Sequence, residues 1–407
     1  MPSRHPAARP ARPRTMIVGL AALFVLALVA GGLYAWLGRP QVSDAELQVS
    51  VNDLLEGLKV QWDPRLFVCE VRAQVARGDV TLEGFVDGVK REDLLSAVRA
   101  LAGVRRVTDR VVQLPDPTLG PEVAGLVRVA VANLGDEPGQ DQGDHVVTQA
   151  RLADPVEVLR QESGWYLVRM TDDGYLGWLN GENLIRLDQA TLAAYSEREQ
   201  ALVTAKFATI HTEGTGVIVT AVMGTILPVA LDGTDGSPGA SGGELGVLLP
   251  NGEAGLIKVS EVRRLPSARA VFAQARPAEA IIALAEEYRG LPYLWGGTTS
   301  QGFDCSGFVQ FVFGMNGYQL PRDADMQFKV GAPVADRSQL RPGDLVFWTT
   351  YKAGPSHIGI YIGGARYIHS GGTNGVTINS FDPQALDYSE KLDQAYIGAR
   401  RVIQAGQ

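Results

Sequence analysis

Hydrophobic positions change their spacing several times along the chain, and each change marks a new kind of element. Met16 to Leu37 (MIVGLAALFVLALVAGGLYAWL) is apolar without a charge, and at about 1.5 Å rise per residue it spans roughly 33 Å, enough for a bilayer core. The tail 1–15 carries Arg4, Arg9, Arg12 and Arg14, and no comparable basic cluster follows. The positive-inside rule therefore leaves the N-terminus cytoplasmic and everything after Gly38 outside. Secretion after signal cleavage is the alternative, but the run is long and lacks a clean A-x-A site. Between Ser43 and Leu114, helical spacing in AELQVSVNDLLEGL gives way to alternating strands, LFVCEVRA and DVTLEGFV. A helix (REDLLSAVRALAG) and a strand (VRRVTDRVVQL) complete an α-β-β-α-β order.

After the Pro-rich LPDPTLGPE, short strand-like runs separated by turns fill 115–190 and predict a small all-β barrel. A weaker copy occupies 201–265, interrupted by the loop insertion DGTDGSPGASGG. From Pro277, AEAIIALAEEYRG predicts an amphipathic helix ended by Gly290. A Gly-rich loop then leads into an apolar helix opening at Asp304-Cys305-Ser306. GDLVFW, SHIGIYIGG and ARYIHSGG follow as strand-like runs, two of them bearing a histidine.

Composition narrows the function classes. The 407 residues, 45% hydrophobic and 20% charged, supply several domains with real cores. A net charge of −8, with a basic tail, makes the remainder more acidic still and argues against nucleic acid as a partner. Two cysteines, with no CxxC and no Cys/His cluster at zinc spacing, exclude a disulfide-rich scaffold and predict no metal or cofactor. Cys69, in a strand, reads as a small buried hydrophobe.

Cys305 is placed differently. A helix N-terminus and a nearby imidazolium both lower a thiol pKa, so this position predicts a thiolate nucleophile. Its own N–H lies where an oxyanion develops. His357 opens a strand and suits a general base; His369, on the next strand, suits the role of fixing its tautomer. The bland alternative is a buried structural cysteine with two unrelated histidines.

The run PYLWGG, FDCSGFVQFVF, LPRDADMQ, RPGDLVFW and SHIGIYIGGARYIHS resembles the NlpC-type family of bacterial cell-wall cysteine peptidases over 277–401. Twelve residues separate Tyr293 from Cys305, and twelve separate the two histidines. The resemblance implies a papain-like α+β domain in which Cys305, His357 and His369 form the catalytic triad and Tyr293 assists the oxyanion. It further implies that Asp304, Ser306, Arg322 and Asp323 face substrate, and that the bond cut is γ-D-glutamyl to a diamino acid in peptidoglycan stem peptides. Residues 43–114 resemble the BON domain, which implies lipid or envelope contact. VANL, PVEVL, GWYLVRM and DGYLGW resemble a bacterial SH3-like domain, with 201–265 as a second. In the subfamily with such barrels, Tyr175 matches a residue at the cleft end. An acidic residue expected before VVTQ is replaced by His145, leaving Asp144 or Asp304 as the partner for a substrate amine. An amidase or acyltransferase using the same Cys–His site, or a non-catalytic envelope scaffold, are the competing readings.

Overall fold

The computed structural model describes residues 42–212, 216–230, 242–273 and 275–403. The apolar span 16–37 and most of the Gly-rich insertion lie outside the described residues. Among those described, no helix is long and apolar enough to cross a membrane. Two compact units divide the chain. The smaller comprises residues up to Leu58, Val71–Gly84 and Arg91–Val111; the larger takes Lys59–Glu70, Phe85–Lys90 and everything from Val112.

In the smaller unit, the helix Asp44–Gln61 starts with a reciprocal cap: the Ser43 N–H donates to Glu46 Oε2 and the Glu46 N–H to Ser43 Oγ. Leu47, Val51, Leu55 and Leu58 form its buried stripe. Strands Cys69–Ala76, Asp79–Asp87 and Arg106–Leu114 lie side by side in that order, and the helix Arg91–Arg99 buries Leu94, Leu95 and Val98.

The α-β-β-α-β order expected over 43–114 is present, and two of its segments also pack beyond it. Val68, Phe85 and Leu114 belong to an apolar cluster with Leu159, Leu167, Leu176 and Trp178 of the following barrel. The Arg160 guanidinium lies over the Phe85 and Trp178 rings and pairs with Glu70 at 2.8 Å. Segments 59–70 and 85–90 therefore pack as part of the larger unit.

That barrel is a seven-stranded sheet. GLVRVAVANL, which alternation alone reads as one run, breaks into Ala124–Val127 and Val131–Gly135. A helix unforeseen from the pattern, Gln189–Ser196, follows; Asp188 caps it by accepting the Thr191 N–H, and its sequence QATLAAYS carries no apolar stripe to announce it. The second all-β unit closes on three- and four-stranded sheets around Val203, Ile210, Leu227, Val247 and Ile257.

The last domain sets the helix Cys305–Met315 on a six-stranded sheet. Its strands run in the order Ala332–Val334, Tyr396–Arg401, Leu345–Trp348, His357–Gly363, Arg366–Gly371, Gly375–Ser380. Phe308, Val309, Phe311 and Val312 of the helix join Leu345, Phe347, Ile358, Ile360 and Ile368 in one core. Fully burying each such side chain contributes about 1.5–3 kcal/mol, so the helix start is held firmly against the histidine strands.

Candidate active site

Asp304 is the residue before the helix. Its extended backbone and its Oδ1, which accepts the Gly307 N–H at 2.7 Å, stop the chain from winding earlier and leave Cys305 at the first helical position. Gly307 is required there: a Cβ would sit 2.1 Å from the Gly297 carbonyl oxygen. Trp348 pairs with His357 across two antiparallel strands, and its ring lies against both imidazoles, centroids 5.5 and 6.1 Å away. Gly359 allows the next strand to close, since a Cβ would fall 2.9 Å from the Ile368 oxygen and 3.0 Å from His369 Cβ.

Cys305 is 6% exposed, with its sulfur against the Ile358 and Ser306 N–H groups. Ile358 immediately follows His357, so the cysteine meets the head of the histidine strand. His357 Nε2 lies 2.8 Å from His369 Nδ1, and His369 Nε2 lies 3.0 Å from Asn379 Oδ1. Burial pushes the Cys305 thiol up to about 12, with the Asp304 charge adding to it and the Ile358 N–H opposing. Burial, and then His369, hold His357 well below the ordinary imidazole value; burial also lowers His369. The resting pair is thus a neutral thiol and a neutral imidazole. Burial here opposes the pre-ionised sulfur expected at a helix N-terminus.

Tyr293 bridges to Phe303, the residue two before Cys305, and is half-buried. Burial, then the Cys305 and Asp304 charges, raise its hydroxyl pKa, so it stays a neutral donor. The other expected substrate contacts are mostly engaged elsewhere. Arg322 is 1% exposed and bonds Asp304 at 2.5 and 3.2 Å, Ser306 Oγ at 3.1 Å and Thr148 Oγ1 of the first barrel at 3.1 Å. It lies beneath the site rather than lining it. Asp304 is held by that guanidinium and by the Gly307 N–H. Tyr175 is buried and donates to Asp323 Oδ2 at 2.9 Å. Asp144 is exposed in the short turn Gly143–His145, and Val146 just after it packs against Gly296 of the loop that leads to Cys305.

Several residues escaped the sequence reading. Arg65 spends its guanidinium on Asp63, Asp323 and Asp325. Trp295 and Tyr351 pack edge to face, 5.7 Å between centroids, and both are exposed; after burial, the Cys305 charge is the chief influence raising Tyr351. Gln327 donates to the Ser306 carbonyl. Gln149 of the barrel accepts the Thr298 N–H at 3.0 Å, bracing the loop that leads to Cys305. Trp295, Gln327 and Gln149 lie inside the PYLWGG, LPRDADMQ and VVTQ runs without being singled out there, and Asn379, eight positions beyond the end of the strand Arg366–Gly371, carries no local signal.

Comparison with known proteins agrees with this architecture. The model described as the NlpC/P60 family matches residues 290–394, and one described as a bacterial dipeptidyl-peptidase Sh3 domain matches 137–184. A dipeptidyl-peptidase 6 of Lysinibacillus sphaericus is 30% identical over 275 residues, 66% of this chain and 95% of that protein. A gamma-D-glutamyl-L-lysine dipeptidyl-peptidase of Bacillus subtilis (strain 168) is 43% identical over 126 residues, 29% of this chain and 42% of that protein. The matched region spans under half the length of that Bacillus subtilis protein and of a gamma-DL-glutamyl hydrolase from the same organism. The crystal structure of an NlpC/P60 family protein from Bacillus cereus ATCC 10987 shares the fold, with TM-score 0.60 at 24% identity, over 69% of this chain and 100% of that one. With a cysteine-bearing helix set on a histidine-bearing sheet, and a relative matched over nearly its whole length, the chain belongs to the NlpC/P60 family of cysteine peptidases.

Proposed function

We propose that this protein is a membrane-anchored, extracytoplasmic endopeptidase that hydrolyses the γ-D-glutamyl–diamino acid amide bond of peptidoglycan stem peptides. One observation carries the chemistry: Cys305 starts a helix beside the Ile358 N–H, at the head of a strand whose His357 lies 2.8 Å from His369. The Bacillus subtilis relative, a gamma-D-glutamyl-L-lysine dipeptidyl-peptidase, supports the choice of bond. In this reading the neutral His357 takes the thiol proton as the sulfur attacks the γ-carbonyl. The Cys305 N–H, one of the amides a helix start leaves unsatisfied, and the Tyr293 hydroxyl receive the oxyanion. His357 returns the proton to the leaving amine, and water then hydrolyses the thioester. Ser306 and the exposed Trp295–Tyr351 pair border the substrate path. Residues 16–37 serve as the anchor, 43–114 as a BON-like unit at the lipid or envelope surface, and 201–265 as a second SH3-like barrel.

The test is to incubate the purified full chain and its Cys305→Ala variant with L-Ala-γ-D-Glu-diamino acid tripeptide and with intact sacculi, followed by mass spectrometry. The expected products from the tripeptide are L-Ala-D-Glu and the free diamino acid, absent with the variant. Cleavage at another bond, or none in either substrate, would sink the assignment; the sacculus arm tells wall remodelling from the trimming of free stems.

A further inference from the structure

We propose that Asn379 is a positioning residue that fixes the proton on each imidazole and so makes Nδ1 of His357 the base; this deepens the peptidase reading and rests on it. Asn379 lies on the strand Gly375–Ser380, beside the strand of His369. Its Nδ2 donates to the Asp387 carbonyl oxygen at 2.9 Å. An amide nitrogen can only donate and an amide oxygen can only accept. The carbonyl of Asp387 therefore settles which way the side chain points, and Oδ1 is what faces His369 Nε2 at 3.0 Å. Reversing the amide would set Oδ1 against the Asp387 oxygen, two acceptors without a proton between them.

The consequence runs along the row. His369 Nε2 must carry a hydrogen to donate to Oδ1. Buried and neutral, His369 has only that one proton, so its Nδ1 is a bare lone pair. At 2.8 Å from that lone pair, His357 Nε2 must donate. His357 is neutral as well, which leaves its Nδ1 unprotonated and able to accept the Cys305 proton. A reversed amide would invert each step and leave a hydrogen on Nδ1, unable to take the thiol proton. The ionisable side chain in ring contact with the pair is Tyr367, from His369's own strand, 5.6 Å between centroids, while Cys305 meets the Ile358 N–H that follows His357. Among the described residues no carboxylate forms a hydrogen bond to either ring. The row is held by a neutral amide, which orders the protons without adding the negative charge that would ionise the pair at rest.

Selective ¹⁵N labelling of histidine in the full chain gives a direct test, because only five rings contribute. His357→Gln and His369→Gln assign the two signals. Long-range ¹H–¹⁵N spectra at neutral pH are expected to show both rings protonated at Nε2 and bare at Nδ1. A hydrogen on Nδ1 of either ring overturns the proposal. Kinetics supply a second arm. Asn379→Leu is expected to lower kcat about 10- to 100-fold, less than the roughly 10²–10⁴-fold attached to losing the general base itself, with KM within about twofold. Asn379→Asp keeps the acceptor toward His369 but sets a second oxygen against the Asp387 carbonyl, so it should recover part of the kcat lost in Asn379→Leu, while its charge moves the acid limb of kcat/KM to higher pH. Wild-type kcat in Asn379→Leu, with Cys305→Ala inactive, overturns the role of Asn379 and leaves the peptidase reading standing. Full activity in Cys305→Ala removes that reading instead. Should Asn379→Leu fail to fold, the wild-type spectra and Asn379→Asp still decide.

Discussion

Cys69 and Cys305 are buried to nearly the same depth, 7% and 6% exposed, yet their settings have little in common. Cys69 begins a strand whose faces alternate, and burial there is a matter of filling space. Cys305 begins a helix and has backbone N–H groups at its sulfur, with a paired histidine strand at its side. Burial by itself makes a thiol harder to ionise, and at Cys305 it does so strongly. What separates the nucleophile from the filler is a base already relieved of its proton and a place for the oxyanion. The contrast also shows why a neutral pair suits the site: a permanently ionised sulfur at this depth would carry a heavy desolvation cost.

The largest effect is expected on the chemistry itself. Cys305→Ala should reduce hydrolysis by about 10⁴-fold or more, while Cys69→Ala leaves kcat unchanged; a stopped assay of released diamino acid separates them, and parity between the two variants would erase the contrast. His357→Ala comes next, lowering kcat about 10²–10⁴-fold with little change in KM, as read from full Michaelis curves.

Arg322→Met sharpens the comparison from the stability side. Removing the guanidinium leaves the Asp304 carboxylate buried and unpaired, which destabilises by about 3–5 kcal/mol. Denaturant titration should show that loss, and Asp304→Asn in the same chain should restore part of it; a variant as stable as wild type would mean the pair holds nothing together.

Acid should act through the histidines. Their folded pKa values lie below the unfolded imidazole value near 6.5, so below that pH the unfolded chain binds protons that the folded pair refuses. Stability contributed by keeping the pair neutral is present above pH 6.5 and is lost as pH falls through the folded pKa values. The expected result is a melting temperature that drops on acidification from pH 7 to 5, with a shallower slope in the His357→Gln/His369→Gln double variant. Equal slopes would count against a neutral buried pair. In the same way, the acid limb of kcat/KM should lie below pH 6.5. Smallest of all, Cys69→Ala should cost about 1 kcal/mol through the space it leaves, visible only as a slight shift of the unfolding midpoint.

Much of the peptidase domain is legible in the linear pattern. Asp304 as a cap, Cys305 at a helix start and histidines on successive strands all follow from local rules, because capping and alternation act over three or four residues. The strands Gly375–Ser380 and Tyr396–Arg401 did not stand out, and Asn379 on the first of them completes the histidine row. Arg322 and Tyr175 look like cleft residues in sequence; folded, their polar atoms are taken by Asp304 and Asp323. Segments 59–70 and 85–90 read as part of one α-β-β-α-β unit, and their apolar side chains pack against the first barrel.

The sequence by itself determined most of the elements and singled out Cys305, His357 and His369 as candidates, because each is marked within a few residues by a cap, a turn or an alternating run. Only the tertiary structure decided the ionisation of the pair and the partners of the buried charges. Both depend on how much solvent is removed and on which distant side chain arrives, as Thr148 arrives at Arg322 across 174 residues. Those are sums over neighbours in space, and no local pattern along the chain encodes them.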